Sequence, residues 1–177
     1  NELVLLAYYI AAINIEETYH SLTKLYEPFQ GIVLTDTFQM TEGGDELDSL
    51  GVFPDNNERV KHQNQLDIRV ILGNPPYSIG QKSSNDSNMN VAYEDLDNRV
   101  KETYGRLSAA ANKRALFDSY IRAFRWASDR ISDRGIVAFV SNGGWLDAKS
   151  TDGFRKALAE EFSDIYVLNL RGNARTQ

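Results

Sequence analysis

The stretch Asp67-Ile68-Arg69-Val70-Ile71-Leu72-Gly73-Asn74-Pro75-Pro76-Tyr77 constrains the fold more than any other part of the chain. The run Ile68 to Leu72 is short, largely apolar and β-branched, and a glycine and two prolines stop it, which predicts a central strand of an α/β sheet rather than a helical turn. The polar tetrapeptide then lies at the strand's carboxyl end, the edge where open α/β sheets bind ligands. Two successive prolines fix φ and supply no N–H, so the backbone there is rich in acceptors and poor in donors. Asn74 adds a side-chain carbonyl and Tyr77 a flat aromatic face, a combination suited to a planar group that carries an amino donor, such as a nucleobase. An ordinary strand-to-loop turn is the alternative, because Asn and Pro are turn residues. Against it, Asn-Pro-Pro-Tyr arises by chance in roughly one chain in a thousand of this length at average composition.

The tetrapeptide resembles the catalytic motif of amino-group methyltransferases that use S-adenosylmethionine, above all the adenine-specific DNA methyltransferases. The resemblance implies roles for all four residues. The Asn74 side-chain oxygen and the Pro75 carbonyl would accept hydrogen bonds from the exocyclic amino group of a flipped-out adenine. Tyr77 would stack on the base, and Pro76 belongs to the same catalytic motif.

Composition narrows the classes. A chain of 177 residues with 42% hydrophobic content can bury one core, so a single globular domain is expected. No run of eighteen apolar residues and no charged leader followed by an apolar stretch is present, so neither a membrane span nor a signal peptide is expected. The chain has no cysteine, which fits a reducing compartment. The same absence argues against methylation of a cytosine ring carbon, a reaction that needs a cysteine nucleophile. The net charge of −6 is unusual for a chain that touches DNA. Residues 1 to 60 hold eleven Asp and Glu against two Lys and Arg, whereas residues 94 to 134 hold seven against nine. Nucleic acid would therefore touch the second half, with most of the affinity supplied from elsewhere.

Taken in order, Leu3 to Tyr19 is almost uninterrupted apolar sequence and reads as a core helix. By resemblance, Glu2 matches the acidic residue that binds the cofactor ribose hydroxyls; a frayed terminal Glu is the competing reading. Gly31 to Asp36 reads as a second short buried strand. Its terminal Asp36 matches, by resemblance, the residue that accepts from the cofactor's adenine ring, and an Asp that caps a turn is the alternative. Residues 41 to 58 read as an exposed acidic excursion. Its Asp45-Glu46-x-Asp48 spacing lacks the ligand order of a calcium loop, so no metal site is expected. A short helix from Glu58 to Leu66 leads into the Asn-Pro-Pro-Tyr strand.

Ser78 to Asn90 is almost wholly polar and is expected to be a mobile loop, closing over a target base or acting as a linker. Helices are predicted at about Ala92 to Tyr104 and Lys113 to Ile131, the second packing Leu116, Phe117, Tyr120, Ile121, Phe124 and Ala127 on the sheet. Its Arg122, Arg125 and Arg130 read as solvated surface charges. Ile136 to Val140 is a further buried strand after the turn at Gly135, and Ser141-Asn142-Gly143-Gly144-Trp145 follows at the same carboxyl edge. That segment either lines the pocket or makes a plain strand-to-helix turn. Phe154 to Phe162 reads as an amphipathic helix and Asp164 to Leu170 as a last strand.

The runs at 93 to 98 and 118 to 127 and the closing Asn-Leu-Arg-Gly-Asn are similar to the methyltransferase part of large single-chain restriction-modification enzymes. The resemblance implies a Rossmann-like α/β methyltransferase sheet flanked by helices, a partial catalytic domain across residues 1 to 177. The family's glycine-rich loop and its C-terminal recognition domain have no counterpart in these residues. By itself the chain is expected to bind S-adenosylmethionine weakly and not to methylate. The implied partner is double-stranded DNA with a flipped adenine, in a prokaryotic cytoplasm. Protein glutamine methylation, cytosine amino methylation and a non-catalytic nucleic-acid-binding module on the same fold are the rival readings.

Overall fold

A computed structural model describes residues 1–42, 53–76 and 93–170. The chain divides into two compact units, one holding residues 1–68 with 93–95 and the other 69–92 with 96–177.

In the first unit, helix α1 (Leu5–Thr23) ends at Lys24, whose left-handed φ of 63° lets its N–H close on the His20 carbonyl. The chain returns through 31–36, where a parallel bridge joins Leu34 to Glu2: the Glu2 N–H donates to the Val33 carbonyl, and the Thr35 N–H donates to the Glu2 carbonyl. The expected strand at Gly31 to Asp36 is thus a single bridge. Its other edge is closed by a side chain, because the Asn56 amide accepts from the Leu34 N–H at 2.8 Å and donates to the Leu34 carbonyl at 2.9 Å. Val33 and Thr35 are nonetheless buried. Asn56 belongs to α2 (Pro54–Gln65), which starts four residues earlier than the sequence suggests because Pro54 occupies the first helical turn, where a missing N–H costs nothing.

Helix α1 departs from the expected core helix. Tyr8 is buried, and the Arg59 guanidinium donates to its hydroxyl at 2.9 Å, but Leu6, Tyr9, Ile10 and Ile13 are each at least half exposed. Apolar residues lie all round this helix, a pattern that needs cover on every side. The described residues cover one side.

In the second unit, β1 (Val70–Gly73) pairs in parallel with β2 (Ile136–Phe139), Val70 opposite Ile136 and Gly73 opposite Phe139. Between them come α3 (Glu94–Val100), a π-helical turn at Lys101–Gly105, a 3-10 turn at Arg114–Phe117 and α4 (Ser119–Arg130). The predicted helix Lys113 to Ile131 is broken at Asp118, which is extended (ψ 142°) and whose carbonyl accepts from the Ile121 and Arg122 N–H groups. Asp favours the position before a helix, so the helix restarts there. Helix α5 (Asp152–Glu161) follows, and residues 164–170, expected as a strand, form no strand.

The two strands were expected to be buried, and the described residues cover one face of the pair. Phe124 of α4 packs edge-on against Phe139 with ring centroids 5.0 Å apart, on the side that also carries Ile71 and Val137. Val70, Leu72 and Ile136 alternate to the other face and are exposed. The core of this unit is aromatic: Phe154 contacts Tyr104, Phe124 and Trp145 at centroid distances of 5.0, 5.2 and 5.3 Å, in tilted or edge-on geometry.

Arg125 was read as a surface charge and is buried, with 4% of its side chain exposed. It forks onto Asp129 at 2.7 and 3.1 Å, reaches Glu161 at 2.6 Å and lies 5.4 Å from the centre of the Tyr104 ring. Burial pushes the Asp129 carboxyl up, but the Arg99 hydrogen bond and the Arg125 charge outweigh it and hold the carboxyl below the usual range. A folded-state pKa below the unfolded one adds stability that is present above the ordinary carboxylate value of about 3.9 and is lost as pH falls through the folded value. We therefore expect the melting temperature of the wild-type protein to be level from neutral pH down to about 4 and to fall below it. Arg125→Ala is expected to cost about 2 kcal/mol at neutral pH and to flatten the acid limb, as both carboxylates keep some contact with solvent. Thermal melts of the two proteins across pH 2–7 check both outcomes; an unchanged acid limb in the variant would show that Arg125 does not stabilise the ionised carboxylate.

Candidate functional site

Asn74, Pro75 and Pro76 leave the carboxyl end of β1, as expected from the sequence. Pro75 is buried, which anchors the turn, while Asn74 and Pro76 are exposed. The in-register pairing carries past Gly73: the Val140 N–H donates to the Gly73 carbonyl at 3.0 Å. The Asn74 and Ser141 segments therefore emerge side by side at one edge. A side chain at Gly73 would sit 2.9 Å from the Phe139 ring, so glycine is what lets the strands close beneath this edge. Tyr77, the rest of the 78–90 loop and Asp45-Glu46-x-Asp48 lie outside the described residues.

The Ser141–Trp145 segment is held at both ends. The Asn142 side-chain oxygen accepts from the Gly144 N–H at 2.7 Å, starting a 3-10 turn at Gly143–Trp145. The Trp145 indole N–H donates to the Ser141 hydroxyl at 3.3 Å, and the buried Trp145 ring packs on Phe154. A second 3-10 turn, Lys149–Thr151, then feeds α5. Asp152 at its start receives the Ser108 hydroxyl at 2.6 Å and the Ala109 N–H at 3.0 Å, and these bonds hold its carboxyl well below the usual range.

In the first unit, Glu2 and Asp36 are brought to one short edge, because Glu2 is bridged to Leu34 two residues before Asp36. The Glu2 Oε1 accepts from the Leu3 and Val4 N–H groups, both at 2.9 Å, at the start of α1. Glu2 is therefore a helix-start acceptor rather than a frayed end. Asp36 accepts from the Phe38 N–H at 3.0 Å with one oxygen and from the Tyr93 hydroxyl at 2.8 Å with the other. Its turn-capping role is real, and one lone pair on each oxygen remains for a further donor. Tyr93, whose ring packs edge-on against Phe38, is the residue that sequence reasoning missed here.

The arginines of α4 are engaged in the fold. Arg122 forks onto Asp97 at 2.7 and 2.9 Å, and Arg125 is the buried ion pair described above. Among the described residues no cluster of three metal-binding side chains occurs, and no helix is long and apolar enough to cross a membrane.

The chain has relatives among solved structures. A nuclease-deletion mutant of the Type ISP restriction-modification enzyme LlaGI, in complex with a DNA substrate mimic, is 48% identical over 100% of this chain with a TM-score of 0.91. This chain is homologous to restriction-modification enzymes. The ATP-dependent Type ISP restriction-modification enzyme LlaBIII bound to DNA is 50% identical over 89% of the chain, TM-score 0.81. A DrdV–DNA complex is 46% identical over 92%, TM-score 0.80. The chain spans 14%, 11% and 16% of those three proteins respectively. No protein-family model matches it, and no curated protein does.

Proposed function

We propose that this chain is part of the catalytic domain of a restriction-modification enzyme that transfers a methyl group from S-adenosylmethionine to the exocyclic amino group of adenine in DNA. The observation that carries the reading is Asn74-Pro75-Pro76 at the carboxyl end of a parallel strand, with Pro75 buried, the Asn74 amide exposed and two prolines that contribute no donor. An aromatic amine is a poor nucleophile because its lone pair is delocalised into the ring. Acceptors at the Asn74 side chain and the Pro75 carbonyl hold the two amino hydrogens and favour the geometry in which that lone pair is available for transfer. Tyr77 supplies the stacking face.

S-adenosylmethionine supplies the methyl group. The acceptor set of the first unit fits its ribose and adenine: Glu2 has Oε1 occupied by two backbone N–H groups, which leaves Oε2 for a ribose diol, and Asp36 keeps acceptor capacity for an adenine amino group. DNA is the partner in the relatives' structures, and we extend it to this protein. With Arg122 and Arg125 committed to carboxylates, phosphate contacts come chiefly from other regions of the full-length protein.

Isothermal titration of S-adenosylmethionine into the full-length protein, with label transfer to DNA from the same preparation, tests the reading. Asp36→Ala and Glu2→Gln are each expected to weaken cofactor binding about tenfold, the loss of one charge-assisted hydrogen bond. Wild-type affinity in both variants would remove these residues from the cofactor site.

A further inference from the structure

Among the described residues, the edge that carries Asn74 is rich in acceptors and poor in donors. Pro75 and Pro76 have no N–H, and the Asn74 amide oxygen is assigned to an amino group. An adenine presented by its exocyclic amine also presents ring nitrogen N1 beside it on the same edge, and N1 is an acceptor. A pocket that satisfies the amine and leaves N1 facing protein without a donor would lose the hydrogen bond that N1 makes to water.

Among the described residues, Asn142 brings a further side-chain donor to that edge. Asn142 lies two residues beyond Val140, whose N–H is bonded to the Gly73 carbonyl directly before Asn74. Neighbouring strands run about 4.8 Å apart, so the two segments leave the sheet within reach of one small planar group. The Asn142 side chain is exposed, and its oxygen is fixed on the Gly144 N–H at 2.7 Å. That bond settles which end of the amide is oxygen, and among the described residues no hydrogen bond occupies the NH2 group. The turn that holds it is anchored by the buried Trp145 and its bond to Ser141. A Cβ added at Gly143, the first residue of the turn, would meet nothing within 4 Å, so among the described residues the backbone beside the amide is open.

We propose that the Asn142 Nδ2 group donates to ring nitrogen N1 of the target base and makes Asn142 a determinant of base specificity. The inference rests on the proposed amino-methyl transfer and adds to it the second polar contact of the base. It also predicts a rejection: guanine and hypoxanthine carry N1–H, a donor that would face the Asn142 donor.

Asn142→Asp separates this role from a structural one. The aspartate still accepts from the Gly144 N–H and keeps the turn, but it presents an acceptor where the amide presented a donor. Its melting temperature is expected to match that of the wild type. Full-length wild-type and N142D proteins are each assayed on DNA with adenine, 1-deazaadenine or 7-deazaadenine at the target position. Wild type is expected to lose about tenfold or more in kcat/KM on 1-deazaadenine and little on 7-deazaadenine, one hydrogen bond's worth of discrimination. N142D is expected to lose at least as much on adenine and nothing further on 1-deazaadenine, because the missing contact is the same one. Transfer to adenine that is unaffected by N142D, losses that add, or sensitivity to 7-deazaadenine alone would overturn the inference and leave the methyltransferase reading intact. Absence of transfer by the wild type would overturn both.

Discussion

Asn74→Ala in the full-length protein is expected to lower the single-turnover rate of methyl transfer by about 100-fold or more, the usual effect of deleting one preorganised group that stabilises a transition state. DNA affinity should change less than about twofold, because phosphate contacts dominate it. The structure makes this variant a clean probe. Asn74 is exposed and among the described residues its side chain makes no hydrogen bond, so its removal takes little from the scaffold, while the buried Pro75 keeps the turn in place. A rapid-quench measurement of the chemical step, beside an equilibrium binding curve, separates the two quantities. A rate that stays within threefold of wild type would remove Asn74 from the chemistry; a parallel loss of rate and affinity would make it a DNA contact instead.

The second large effect concerns stability. Helix α5 crosses the π-helical turn at Gly153, where an added Cβ would run into the Tyr104 carbonyl oxygen and lie 2.7 Å from the Ser108 nitrogen. Both are backbone atoms of a packed segment and cannot step aside. Gly153→Ala is therefore expected to cost about 3 kcal/mol, the upper part of the range for overpacking. It would also pull Asp152 from the Ser108 hydroxyl and the Ala109 N–H that it holds. Hydrogen exchange read at the α5 amides should show protection reduced by about 100-fold. Gly143→Ala is the control: nothing lies within 4 Å of a Cβ there, so protection should stay near wild type. Equal effects of the two substitutions would mean that the tight approach at Gly153 does not limit this packing.

What the sequence made legible is the part written in local chemistry. The β1 strand, its abrupt stop and the β2 strand followed from β-branched runs closed by Gly and Pro, and α4 and α5 overlap the spans that their apolar spacing predicts. Non-local facts were less legible. The Tyr93 hydroxyl reaches Asp36 across 57 positions, and no periodicity announces such a bond. Asn56 closes the open edge of Leu34 with a side-chain amide, so a run that reads as a strand ends as one bridge. Arg125 occupies a helix position that looks solvated and is buried because Asp129, Glu161 and the Tyr104 ring surround it. Helix α1 and the outer face of β1 and β2 were read as core from their apolar content, which records a need for cover without saying what supplies it.

The site divides the same way. Asn74 and Pro75 stand where the motif puts them, because the strand that carries them is local in sequence. The oriented amide of Asn142 depends on the Gly144 N–H and on a strand register linking positions 66 residues apart, Val70 to Ile136. Register is not written in either strand alone.

The most direct measurement is transfer of a labelled methyl group from S-adenosylmethionine to unmethylated DNA by the full-length protein, followed by digestion to nucleosides. Label is expected in N6-methyl-2′-deoxyadenosine and is abolished by Asn74→Ala. Label in a cytosine nucleoside or in protein, or no label from a preparation that binds the cofactor, would contradict it.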